Sequence, residues 1–77
     1  MKDALDYDVS VFVAEAYNDF MDGFYPVGYT LGILEGYRRI CSSLGYHDNM
    51  RLIERTSDSI RQVPVTPGGF VDGDAIH

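Results

Sequence analysis

His47 and Asp48 stand side by side in this 77-residue chain, and they are the residue types from which acid–base chemistry is built. Such chemistry also needs a nucleophile at a defined place beside the imidazole, and none is spaced to serve. Cys41 is the single thiol. It falls among apolar residues, where a small buried hydrophobe is expected, because a reactive thiol needs an electropositive and partly open setting. Asp72-Gly73-Asp74 offers carboxylates for calcium but lacks the further oxygens of a loop site. His47 sits in a turn and His77 ends the sequence, so the histidines give no metal pair. The expectation is a protein with no catalytic residue, metal or cofactor, and not an enzyme.

The pattern that remains is Gly28, Gly32 and Gly36, recurring every four residues through a segment of helical periodicity. Glycine inside a helix costs roughly 1 kcal/mol relative to alanine, so the stripe costs on the order of 3 kcal/mol. A chain of this length buries only about 60–65% of the surface its unfolded form exposes. The stripe therefore calls for a compensating contact. One reading is close packing against the preceding helix of the same chain through Ala14 and Ala16, slightly favoured because small helical folds use small residues this way. The other is a seam for a second copy or another protein. A phosphate-cradling loop is a poor third reading, since no Lys-Ser or Lys-Thr follows the glycines and they do not open a helix.

Composition narrows the class. The net charge is −6, which argues against direct nucleic-acid binding, a property of clustered Lys and Arg. The acids Asp3, Asp6, Asp8, Glu15, Asp19, Asp22 and Glu35 face a single cation, Lys2, in the first half. Arg38, Arg39, Arg51, Arg55 and Arg61 follow in the middle. The opening Met-Lys-Asp-Ala-Leu-Asp has no basic region leading into an apolar run, and the charge-free stretch Gly23–Leu34 is far short of a membrane span. With one cysteine and no disulfide possible within the chain, a cytoplasmic protein without membrane contact is expected.

Three helices must position these residues. Val9, Val13, Tyr17 and Met21, with Phe12, Ala16 and Phe20, predict an amphipathic helix to Asp22, begun at Asp8 or Val9 with Asp8 as cap. The alternation of Leu5, Tyr7, Val9, Val11 and Val13 also fits a strand. Pro26 suits the first position of a second helix ending at Gly45. Its inward face is expected to be Tyr29, Ile33, Tyr37, Ile40 and Leu44, continued by Leu34 and Cys41. Asp48 or Asn49 caps a third helix to Gln62, with Met50, Ile53, Thr56, Ile60 and Val63 inward and the pairs Arg51–Glu54 and Arg55–Asp58 outward. Residues 63–77, rich in Pro and Gly, form an arm.

The fold class expected is all-α: a small three-helix domain over residues 1–62 with an irregular C-terminal arm over 63–77. The alternative is α+β, with an N-terminal strand pairing with that arm. The function expected is a small acidic protein-binding module that inhibits or regulates a host macromolecular complex, of the kind carried by phages and other mobile elements. Its partner is a protein, and the chain also self-associates as a homo-oligomer. The partner-binding residues are Gly28, Gly32, Gly36, Arg39, Ser43, Tyr25 and Tyr29, with an acidic face of Glu15, Asp19 and Asp22. Two other readings are a purely structural homo-oligomer and a nucleic-acid mimic that blocks a nucleic-acid-binding protein.

Overall fold

The computed structural model describes residues 3–76. Three helices, α1 (Ala4–Met21), α2 (Val27–Leu44) and α3 (His47–Arg61), pack against one another, and a one-turn helix α4 (Gly73–Ile76) follows the arm. The domain is all-α. Its core is Val9, Val13, Ala16 and Phe20 from α1, Leu34 and Cys41 from α2, and Ile53 and Ile60 from α3.

Helix α1 begins earlier than the expected start at Asp8 or Val9, because a better cap lies upstream. The Asp3 carboxylate accepts the Leu5 N–H at 3.0 Å, and its extended backbone opens the helix. The strand alternative for residues 3–13 is overturned. Burial at Val9, Val13, Ala16 and Phe20 follows the helical period, which joins all four into one core stripe. Alternation over residues 5–13 would leave most of that stripe unpaired.

Pro26 is the cap of α2, not its first residue, and its side chain offers no acceptor. The C-terminal arm supplies one instead. Val27 N–H donates to the Gly69 carbonyl at 2.7 Å, satisfying one of the orphan donors of a helix start. The arm gets there by pairing with itself: Val65 bridges Val71 in antiparallel fashion. Thr66 N–H donates to Phe70 C=O at 2.8 Å, and Asp72 N–H to Pro64 C=O at 2.9 Å. Gly69 has φ 90°, and a Cβ there would lie 3.4 Å from Pro26 Cβ and Val27 Cγ1. Both its backbone sign and its closeness to α2 favour glycine.

At the far end, Gly45 (φ 75°) stops α2, and Tyr46 N–H bonds to Cys41 C=O at 2.9 Å. Helix α3 then starts without a side-chain cap, so the expected cap from Asp48 or Asn49 is not present. Asn49 is instead buried, at 3% exposure. Its amide donates to the Asp6 carbonyl at 2.6 Å and to the Asp6 carboxylate. Its oxygen accepts the Ser10 hydroxyl at 2.9 Å. The expected ion pairs on α3 are also shifted: Arg51 pairs with Asp48, and Arg61 with Asp58. Each arginine reaches back one turn, and Asp48 in the first turn of α3 and Arg61 in the last also suit the helix dipole.

Asn49→Ala removes the bonds to the Asp6 carbonyl and carboxylate and leaves the Ser10 hydroxyl only its 3.3 Å bond to the Asp6 carbonyl, and is expected to cost about 1–3 kcal/mol in urea unfolding. A second expectation concerns the arm. Gly69→Ala forces a left-handed alanine, costing on the order of 1–2 kcal/mol. Hydrogen exchange at the Val27 amide should accelerate in that variant more than at amides in the middle of α2.

Candidate interaction surface

The side of α2 that faces the core is Thr30, Leu34 and Cys41, turned roughly a quarter of the way round the helix from the expected apolar face. Thr30 can be buried because its hydroxyl donates to the Pro26 carbonyl at 3.1 Å, leaving only its methyl for the core. Tyr29, Ile40 and Leu44, expected inside, are 55%, 44% and 51% exposed.

The rotation sets Gly28, Gly32, Gly36, Arg39 and Ser43 diametrically opposite the core, and all five are exposed. A Cβ built on Gly28, Gly32 or Gly36 meets nothing within 4 Å. The packing of these glycines on the first helix is therefore overturned. Ala16 is buried in the core and Ala14 points toward α3, so neither small residue of α1 meets the stripe.

Beside the stripe, α1 and α2 form a shallow hollow of about 140 Å³ whose lining includes Phe12, Glu15, Ala16, Asp19, Tyr25 and Tyr37. It brings two of the three predicted acidic residues together with Tyr25. Tyr25 and Tyr29 have ring centroids 4.9 Å apart, and Phe12 stacks on Tyr37 at 6.0 Å. Phe24, in the turn between the helices, is 68% exposed. Asp22 is exposed as the C-terminal cap of α1, and the three acids have no ion-pair partner among the described residues. Sequence periodicity assigned Phe12, Ile40 and Leu44 to the core. The signal against that was the presence of Thr30 and Cys41 in register with Leu34, a narrower stripe of smaller residues.

On the same helix Glu35 holds Arg38 at 2.6 Å and Arg39 at 3.4 Å. The hydrogen bond from Arg38 brings the Glu35 carboxyl down to about 2. At the far end of the bundle the Tyr46 hydroxyl donates to the Asp3 carboxylate at 2.8 Å. That bond pushes the Tyr46 phenol up to about 12 and, with the Leu5 N–H, lowers the Asp3 carboxyl.

The candidate chemistry in the sequence stays dispersed. Cys41 is buried, and desolvation followed by the charge of Asp6 raises its thiol, the behaviour of an inert core cysteine. His47 is the exposed first residue of α3, and His77 lies outside the described residues. Asp72 accepts the Asp74 N–H at 3.1 Å, a local turn. Among the described residues no group of three or more His, Cys, Asp or Glu could hold a metal ion. No helix there is long and apolar enough to cross a membrane. Comparison with protein-family models, curated proteins and solved structures found no match.

The two largest shifts, at Glu35 and Tyr46, predict opposite pH limits. Glu35 titrates lower in the folded state than its ordinary 4.5, so its contribution is present above that value and fades as pH falls toward 2. Tyr46 titrates above its ordinary 10, so its contribution is intact below pH 10 and fades between 10 and 12. Ultraviolet titration of tyrosinate should show a late phase in the native protein that Tyr46→Phe removes. Glu35→Gln should flatten the acid side of the stability profile only.

Proposed function

We propose that this chain is a small non-enzymatic protein-binding module that pairs with a second copy of itself through the outer face of α2 and regulates or inhibits a partner protein by covering part of its surface. The observation that carries the reading is the open space over Gly28, Gly32 and Gly36. Their combined cost, on the order of 3 kcal/mol, has no return among the described residues of the monomer, whereas a second backbone lying in the track would provide one. Small residues let two helices approach more closely than ordinary side chains allow.

The face is self-complementary. Two copies of α2 crossed antiparallel about Gly32 set Gly28 against the other copy's Gly36. Exposed Ile40 and Leu44 then arrive at the end where the other copy's Phe24 is exposed. Arg39, whose side chain is 78% exposed, arrives beside the other copy's Tyr25, which shares its hollow with Asp19. Charge complementarity there offsets some of the repulsion between two chains of net charge −6.

Gly32 discriminates this from a monomer that merely tolerates its glycines. With no neighbour to meet, Gly32→Ala is expected to raise monomer stability by roughly 1 kcal/mol through helix propensity. Gly32→Leu should leave the monomer folded and abolish the dimer in sedimentation or light scattering. A wild-type protein that stays monomeric at micromolar concentration removes the self-association reading. For the partner, affinity capture should recover one host complex in stoichiometric amount; an oligomer that captures nothing is a structural subunit. Capture that collapses in moderate salt, and in Asp19→Asn with Asp22→Asn, marks nucleic-acid mimicry.

A further inference from the structure

On the side of the bundle lined by α1 and α3, with no residue of α2, lies a second hollow of about 240 Å³. Its walls are apolar: Val13 and Ala14 from α1, Leu52 from α3. The polar atoms around it fall into two groups. The hydroxyls of Ser10 and Thr56 are already used, on Asn49 and on the Leu52 carbonyl. Arg55, Tyr17 and Ser59 have no side-chain hydrogen bond or ion pair among the described residues.

Arg55 stands apart from the other arginines. Arg38, Arg39, Arg51 and Arg61 each lie against a carboxylate. Asp58, the expected partner of Arg55, is taken by Arg61. In an acidic chain, the arginine left without a counter-ion thus sits on the rim of an apolar groove, beside two uncommitted hydroxyl donors. No acid lines that groove. The combination is complementary to an apolar group with a carboxylate close by.

Size selects the source of that group. The hollow is smaller than the roughly 300–1,000 Å³ typical of small-molecule pockets. It runs from Ser10 to Tyr17 on one helix and from Leu52 to Ser59 on the other, about two helical turns or 10 Å. That length matches two anchors one turn apart on an amphipathic helix laid into a groove.

The geometry points to the α1–α3 groove as the docking site for an acidic amphipathic helix of the partner protein, whose two apolar side chains fill the hollow while its carboxylate meets Arg55. This rests on the reading of the chain as a protein-binding module and assigns the partner a chemistry. It places that partner on a different face from the second copy.

The test uses the full chain, isotope-labelled, and a synthetic helical peptide of about 15 residues with two leucines four apart and a glutamate on the same face. A matched peptide carries glutamine instead. Expected are saturable amide shifts confined to residues 10–17 and 52–59. Arg55→Gln and the glutamine peptide should each weaken binding about tenfold. Combined, they should weaken it little further than either alone, the mark of a direct pair. Ala14→Glu, at an exposed position of the wall, should block binding while the amide spectrum stays dispersed. No saturable shift at millimolar peptide, shifts centred on α2, or losses that simply add would overturn the assignment. Groove binding lost while the dimer persists leaves the α2 reading intact, and the converse holds for Gly32→Leu.

Discussion

Thr30, Leu34 and Cys41 face inward on α2, and the rest of the molecule is arranged around that orientation. A helix can bury only one stripe in a three-helix core, so choosing that stripe also chooses what faces water. Here the opposite side is glycine, and the flank beside it holds Tyr29, Ile40 and Leu44. The core gains a small polar residue whose hydroxyl is already satisfied. In exchange the helix keeps its most expensive residues where none of the described residues packs over them.

That orientation is held from both ends. At one end Asp3 bonds to Tyr46, and Asp6 and Ser10 bond to Asn49, tying the first turns of α1 to the α2–α3 corner. At the other end the arm places the Gly69 carbonyl on the Val27 N–H. These polar ties are long in sequence and fix register, whereas the arginine–carboxylate pairs are local, exposed, and worth little individually. Between the two clamps the outer face of α2 is left without a cover.

The charges follow the same division. Carboxylates gather along the exposed side of α1, and the arginines of α2 and α3 are mostly neutralised by acids one turn away. Arg55 is left over because Asp58 pairs with Arg61 instead. A shift of a single pair therefore converts an ordinary surface arginine into the unpaired cation beside an apolar hollow.

The amino-acid pattern alone determined the three packed helices, the stop at Gly45, the break at Gly23, and the burial of Val9, Val13, Phe20, Ile53, Ile60 and Cys41. Each rests on local periodicity or on a backbone conformation that only certain residues adopt easily. Three things had to wait for the packed structure. The rotation of α2 was hidden because its apolar residues wrap more than half the helix, so two inward faces fit the pattern equally. The early start of α1 came from the Asp3 cap on the Leu5 N–H, held in turn by the distant Tyr46 hydroxyl, and the role of Asn49 from contacts about 40 residues apart in sequence. The pairing of the arm with itself, Val65 against Val71, sets the Gly69 carbonyl on the Val27 N–H, a contact between distant segments. Periodicity reports which residues share a side of one element; only the neighbouring elements determine which side is covered.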